Sequence, residues 1–351
     1  AVWDEVLRNH LYVLCQTKMA VSITKRTLAG YRDTEVNAIY LTKLLERMED
    51  QQRLARKLCN SATWGREGER VKFDAIVGNP PYQEMDMGNR NSATPVYQFF
   101  VQQAKAIMPR YISMITPSRW FAGGKGLDDF REEMLTDKRL RKIKDYVDST
   151  DCFAGVDIAG GVSYFLWDST YNGTCSVTSV RGQNTVTMDR NLDEYDIFIR
   201  NNQSIRLVKE ISTCTDPKMD SIVGSRNTFG IGTSEHGFAE KKEGYITLAT
   251  SQKGNEMALA YIPRDAVPKA HDLIDKYKVV IGRSVPRNGE VGVDPSVGYR
   301  AITTVHIFGP NVVFTDTYLM LAAFDNRDEA VNFASYMTLR FPRFLLHETY
   351  S

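Results

Sequence analysis

Four consecutive residues, Asn79-Pro80-Pro81-Tyr82, combine two acceptor oxygens, a rigid turn and a flat ring. The Asn79 side-chain oxygen and the Pro80 carbonyl can both accept hydrogen bonds from one planar amine. An amine of that kind, as on adenine or in a carboxamide, is a poor nucleophile because its lone pair is delocalised. Acceptors that draw its two hydrogens toward tetrahedral geometry stabilise charge that develops only as the nitrogen attacks an electrophilic methyl group. Because φ is fixed at both prolines, the carbonyl between them is aimed in advance, and Pro81 adds no donor of its own. Tyr82 offers a stacking face. Taking a base out of a duplex costs a few kcal/mol, and one aromatic face returns ~1–3 kcal/mol of that. The plain alternative is that Pro-Pro is only a rigid exit from a strand, so the setting of the tetrapeptide decides its meaning.

That setting is a strand end. Val71–Gly78 is an apolar, β-branched run of the kind that forms a buried parallel strand, and the tetrapeptide closes it. Tyr97–Met108 repeats apolar residues at helical spacing, Tyr111–Ile115 reads as a strand closed by Thr116-Pro117, and Leu127–Leu140 reads as a helix entered from Gly123–Gly126. Ile143–Val147 and Gly161–Trp167 read as further strands. Upstream, residues 3–28 show helical spacing and Leu41–Leu58 predicts one charged surface helix. This alternation predicts an α/β domain with a largely parallel sheet, which binds ligands beyond the carboxyl ends of its strands. After about residue 175 the apolar runs shorten among Gly, Asn, Thr and Ser, until Asn326–Leu346 returns to helical spacing. The expected division is therefore 1–175 and 176–351, the second part a mixed α+β domain.

The 351 residues are enough for two cores, and 42% hydrophobic with 25% charged residues is a globular composition. A formal charge of +1 supplies no global field for a polyanion, so any nucleic-acid surface must be a local cluster of cations. Lys138–Lys144 is the densest basic run, read as a solvated helix terminus, and Lys241, Lys242, Arg283, Arg287 and Arg300 are scattered through the second half. Cys15, Cys59, Cys152, Cys175 and Cys214 show no CxxC spacing, and His10, His236, His271, His306 and His347 form no ligand pattern, so no metal site is expected. No run approaches the roughly eighteen apolar residues of a membrane span and no leader pattern opens the chain, which makes the cytoplasm the expected location.

Three ordered stretches go beyond the tetrapeptide: FDAIVGNPPYQ at Phe73–Gln83, ISMITPSRWFAGGKGLDDFREEML at Ile112–Leu135 and CFAGVDIAGGVSYFLWD at Cys152–Asp168. Together they closely resemble the adenine-N6 DNA methyltransferase region of type II restriction–modification enzymes, most of all single-chain restriction–methylation proteins. The likeness covers roughly residues 70–170 and continues weakly through Gly224–Phe238 and Phe314–Leu346. It implies a Rossmann-like methyltransferase sheet followed by a target-recognition domain, S-adenosylmethionine as cofactor and double-stranded DNA as partner. It also implies that Asn79, Pro80, Pro81 and Tyr82 are catalytic and that Phe153 is a second aromatic face on a flipped-out adenine. Trp120 and Phe121, at the end of the preceding strand, fit either the lining of the same pocket or the core.

The family's FxGxG cofactor loop has no counterpart at the expected place. FGIGT at Phe229–Thr233 lies after the catalytic motif, and FAGGKG at Phe121–Gly126 fits a different family element. His10–Leu28 matches the strand whose acidic end holds the cofactor ribose, which falls here on Cys15 or Gln16, neither a carboxylate. The expectation is a sheet incomplete at its N-terminal side, with the first strand, its glycine loop and any nuclease domain lying upstream of Ala1. Two other readings stay open: a protein glutamine methyltransferase, which needs the same acceptor pair, and a non-catalytic DNA-binding or specificity fragment.

Overall fold

The structure is a computed structural model that describes residues 2–68, 70–84, 94–213, 219–251, 257–283 and 302–349. The chain divides into two compact units, 1–202 and 203–350.

In the first unit, helix α1 (Val2–Asn9) leads into strand β1 (Tyr12–Cys15), helix α2 (Lys18–Ala29) and strand β2 (Asn37–Tyr40), which pairs parallel to β1. Helix α2 begins where the Thr17 side chain accepts a hydrogen bond from the Ala20 amide and ends at Gly30 in the left-handed region. The single helix expected over Leu41–Leu58 is broken into α3 (Leu44–Met48) and α4 (Gln51–Leu58). The break has a local cause, because the Asp50 carboxylate caps the Arg53 amide and starts a new helix.

Strand β3 (Ala75–Gly78) carries the tetrapeptide out to a short hairpin, β4 (Gln83–Glu84) and β5 (Thr94–Pro95), before helix α5 (Tyr97–Ile107). Strand β6 (Tyr111–Pro117), helix α6 (Asp128–Thr136) and strands β7 (Leu140–Tyr146), β8 (Val162–Asp168), β9 (Cys175–Arg181) and β10 (Asn184–Arg190) follow. These build a six-stranded sheet in the order β10-β9-β7-β8-β6-β3. The sheet is mixed rather than largely parallel. Strand β8 lies between β6 and β7 and runs antiparallel to both, because it returns directly from β7 instead of crossing over through a helix.

One face of this sheet, through Ile112, Met114, Ile143, Phe165, Trp167 and Val177, packs with residues of α5 and α6 in the main core. The opposite face stays open at Val77, Tyr111 and Tyr164, and Val77 on the β3 edge is 76% exposed.

The second unit begins with helix α7 (Ile205–Ser212). It holds strands β11 (Tyr245–Ser251), β12 (Met257–Pro263), β13 (Tyr277–Gly282), β14 (Val305–Phe308), β15 (Val312–Phe314) and β16 (Tyr318–Phe324), arranged as two three-stranded sheets. Helices α8 (Arg327–Met337) and α9 (Arg340–Thr349) realise the late helical segment. Its core centres on Phe229, Leu248, Val280, Val313 and Phe314. Among the described residues, no helix of either unit is long and apolar enough to cross a membrane.

Candidate active site

Strand β3 delivers the tetrapeptide at its carboxyl end, with Asn79 and Pro81 exposed, Pro80 buried and Tyr82 half-buried. The buried Pro80 ring anchors the turn, so the Asn79 side chain is presented to solvent on a fixed backbone. Beyond it the Val96 amide donates to the Tyr82 carbonyl at 3.2 Å and fixes the base of the hairpin. The Tyr82 hydroxyl is buried and faces the Asn79 side chain, without a hydrogen bond of normal geometry. Burial pushes the Tyr82 pKa up and the nearby Cys152 adds to the rise, so this ring stays neutral.

Phe153 sits on the loop between β7 and β8. The Asp148 carboxylate caps the Thr150 amide at 2.8 Å, and the Phe153 amide donates to the Ser149 carbonyl at 2.8 Å. The buried Ser149 hydroxyl then donates to the Val156 carbonyl at 2.8 Å and accepts from the Ile158 amide at 2.7 Å. The loop is thus braced from inside while Phe153 itself stays half-exposed. Cys152, one residue earlier, lies within electrostatic reach of Tyr82, Lys144 and Tyr164. Burial pushes its thiol up, only partly opposed by Lys144, so it is not a thiolate nucleophile at neutral pH. The structure therefore brings Cys152, the neighbour of Phe153, within electrostatic reach of Tyr82.

Trp120 is placed differently. It is 1% exposed and packs edge-on against Phe121 and Phe130, with ring centroids 4.5 and 5.8 Å apart. Its indole nitrogen is buried and finds no hydrogen-bond partner among the described residues. The link to the tetrapeptide is indirect: Tyr97, next to Val96, lies with its hydroxyl beside the Trp120 backbone. Trp120 stands behind the site as part of the core.

Cys15 ends β1 as a buried thiol 3.6 Å from the Thr24 hydroxyl, and Gln16 beside it is exposed. A thiol and an amide do not supply the carboxylate that ribose hydroxyls prefer, and the Thr17 oxygen is already used in capping α2. The residues at the end of β1 therefore fit the ribose of S-adenosylmethionine poorly.

The two glycine-rich stretches serve the fold instead. Phe229 is fully buried in the second unit's core. Gly124 of the other stretch donates its amide to the Asp128 carboxylate at 3.1 Å, at the entry to α6. The basic run is largely absorbed by carboxylates: Lys138 pairs with Asp193, Arg139 with Asp137 and Arg141 with Asp168. In the second unit Arg283 pairs with Asp316, Lys241 and Lys242 are exposed, and Arg287, Arg300 and Cys214 lie outside the described residues. No group of metal-ligating side chains occurs among the described residues.

Asp145, Ser118 and Arg200 were not singled out from the sequence. The Ser118 hydroxyl donates to Asp145 at 2.8 Å, and Arg200 grips the same carboxylate with bonds of 2.8 and 2.7 Å. One signal was readable: in the strand IKDYV, Asp145 occupies the same alternating face as the core residue Ile143, where an unpaired charge would be costly.

Residues 9–153 match the Eco57I restriction-modification methylase family. The matched stretch includes the tetrapeptide and reaches Phe153 at its last position. An uncharacterized adenine-specific methylase of Mycoplasma pneumoniae is 31% identical over 161 residues, which is 44% of this chain and 38% of that protein. The chain thus spans well under half the length of that relative. Among solved structures, the type IIL restriction-modification enzyme MmeI in complex with DNA is 9% identical with a TM-score of 0.42, over 86% of this chain and 46% of its own. The methyltransferase subunit of a type I restriction-modification system from Streptococcus thermophilus is 10% identical with a TM-score of 0.33, over 59% of this chain and 42% of its own.

Proposed function

We propose that this chain is the adenine-N6 methyltransferase part of a restriction–modification enzyme, acting on a base flipped out of double-stranded DNA with S-adenosylmethionine as methyl donor. The observation that carries the reading is the placement of Asn79-Pro80-Pro81-Tyr82 at the carboxyl end of β3, within the family match and beside the loop that bears Phe153. Asn79 and the Pro80 carbonyl accept the two hydrogens of the target amine, making its nitrogen a better nucleophile as charge develops. Tyr82 and Phe153 take the two faces of the base. Trp120 supports this pocket from the core.

Catalysis is assigned to residues 1–175, with β9, β10 and the segment up to Asn202 completing the same compact unit, and target recognition to the remainder of 176–351. The separate parallel pair β1–β2 and the exposed apolar edge at Val77 support a methyltransferase sheet that is incomplete at its N-terminal side. A glycine loop and a nuclease domain elsewhere in the parent polypeptide, working in the cytoplasm, belong to the same proposal.

The test uses the full-length protein with tritiated S-adenosylmethionine and two acceptors, duplex DNA and a glutamine-containing protein. Label in N6-methyladenine supports the reading. Label in the protein alone would replace it with a glutamine methyltransferase, and label in neither would leave a DNA-binding fragment.

A further inference from the structure

Arg200 lies far in sequence from every residue discussed as catalytic, yet its guanidinium is the meeting point of the two loops that carry Trp120 and Phe153. Its side chain is 5% exposed and its partner Asp145 is 0% exposed, so this is a fully desolvated pair. Arg200 Nε donates to Asp145 Oδ2 at 2.8 Å and Nη2 to Oδ1 at 2.7 Å, the fork geometry in which a guanidinium fixes direction as well as charge. The remaining nitrogen, Nη1, donates to the Gly160 carbonyl at 2.7 Å. Gly160 belongs to the loop that Ser149 braces around Phe153.

Asp145 also accepts from Ser118 at 2.8 Å, directly before the Arg119-Trp120-Phe121 turn. The same turn is touched a second time, because Phe121 stacks on Phe198 at 4.2 Å and the Phe198 amide donates to the Phe121 carbonyl at 3.1 Å. Gly161 closes the arrangement: its amide donates to Ile158, its carbonyl accepts from the Ser118 amide at 3.0 Å, and a Cβ there would lie 2.1 Å from the Tyr146 carbonyl oxygen.

A buried ion pair is weak support for stability, since well-packed apolar residues of the same volume often do as well. Its directionality is what an apolar pair cannot replace. We propose that Arg200, through Asp145 and Gly160, is a positioning residue that sets the Phe153 loop against Tyr82. This deepens the methyltransferase reading and rests on it. Arg200 touches no substrate; it acts by fixing where the second aromatic face stands.

The experiment is a double-mutant cycle in the full-length enzyme, measuring kcat and KM for DNA together with thermal stability. Arg200→Lys keeps the charge but cannot reach Asp145 and Gly160 at once. The paired replacement Asp145→Leu with Arg200→Met keeps an apolar, packed alternative should the lysine variant fail to fold. The expected result is a folded variant whose kcat falls by about tenfold or more while KM changes by less than about threefold, the mark of misplacement rather than lost affinity. In that background Phe153→Ala should cost much less than in wild type, because the face it removes is no longer held in place. Independent, additive losses would overturn the positioning role, as would a folded variant with wild-type kcat, or failure of both variants to fold. Failure of the underlying reading looks different: the wild-type enzyme itself would then put no methyl into DNA.

Discussion

The buried hydroxyl of Tyr82 faces the side chain of Asn79 at the mouth of the turn that ends β3. It makes no hydrogen bond of normal geometry there, so the ring rather than the oxygen is what the site uses. Tyr82→Phe should therefore keep kcat within about threefold of wild type, whereas Tyr82→Ala should lose one stacking face, ~1–3 kcal/mol of base binding. Steady-state kinetics on duplex DNA, with binding to a duplex carrying an abasic target as control, checks the difference.

Gly161 has φ +75° and no room for a side chain, with the Tyr146 and Val147 carbonyl oxygens 2.1 and 2.5 Å from where a Cβ would stand. Gly161→Ala should cost on the order of 2–3 kcal/mol, combining left-handed strain with displacement of β7 backbone. The midpoint of urea unfolding reads this directly. Gly182→Ala serves as the comparison, because φ is +56° there and nothing lies within 4 Å of its Cβ position.

In the second unit Lys278 is buried, and its ammonium shares its three hydrogens among four carbonyl oxygens, of Leu273, Ile274, Lys276 and Gly309, at 2.7–3.1 Å. Lys278→Met should destabilise this unit by about 2–3 kcal/mol, because the carbonyls lose their donors without gaining water.

Burial also lowers the Lys278 pKa to about 8. The folded state then sheds this proton at lower pH than the unfolded chain, whose lysine holds it to about 10.4. Above the unfolded value the lysine carries no titration penalty; as pH falls toward 8 the penalty grows to its full size. Wild type should thus gain stability between pH 8 and 10 relative to Lys278→Met. Urea titrations of both proteins across that window measure it, and parallel curves would contradict it.

Much of the site's neighbourhood was legible in the sequence because its signals are local. The helical spacing of Tyr97–Met108 and the apolar strands on either side of it depend on neighbours a few residues apart, and α5, β6 and β8 appear close to their expected limits. Asp50 shows how a short polar signal inside a periodic stretch splits a helix that spacing alone makes continuous. The antiparallel insertion of β8 was not legible, since strand order depends on where a loop returns. Nor was the partner of Arg200, because nothing local says which carboxylate 55 residues away a guanidinium will meet. The basic run from Lys138 reads as a solvated helix terminus, because its partners Asp137, Asp168 and Asp193 are brought to it only by folding. Trp120 is ambiguous for the same reason: an aromatic at a strand end reads alike whether it faces a pocket or, as here, the core.

Asn79 is assigned the hydrogen bond that the methylated amine donates. The most direct measurement is single-turnover methylation of duplex DNA by the full-length Asn79→Ala protein, with N6-methyladenine quantified by mass spectrometry and folding checked by thermal melting. Because Asn79 is exposed, the variant should melt like wild type. Its methylation rate should fall by about a hundredfold or more, the scale of losing one acceptor aimed at developing charge. A folded Asn79→Ala protein that methylates adenine within about twofold of the wild-type rate would contradict the claim.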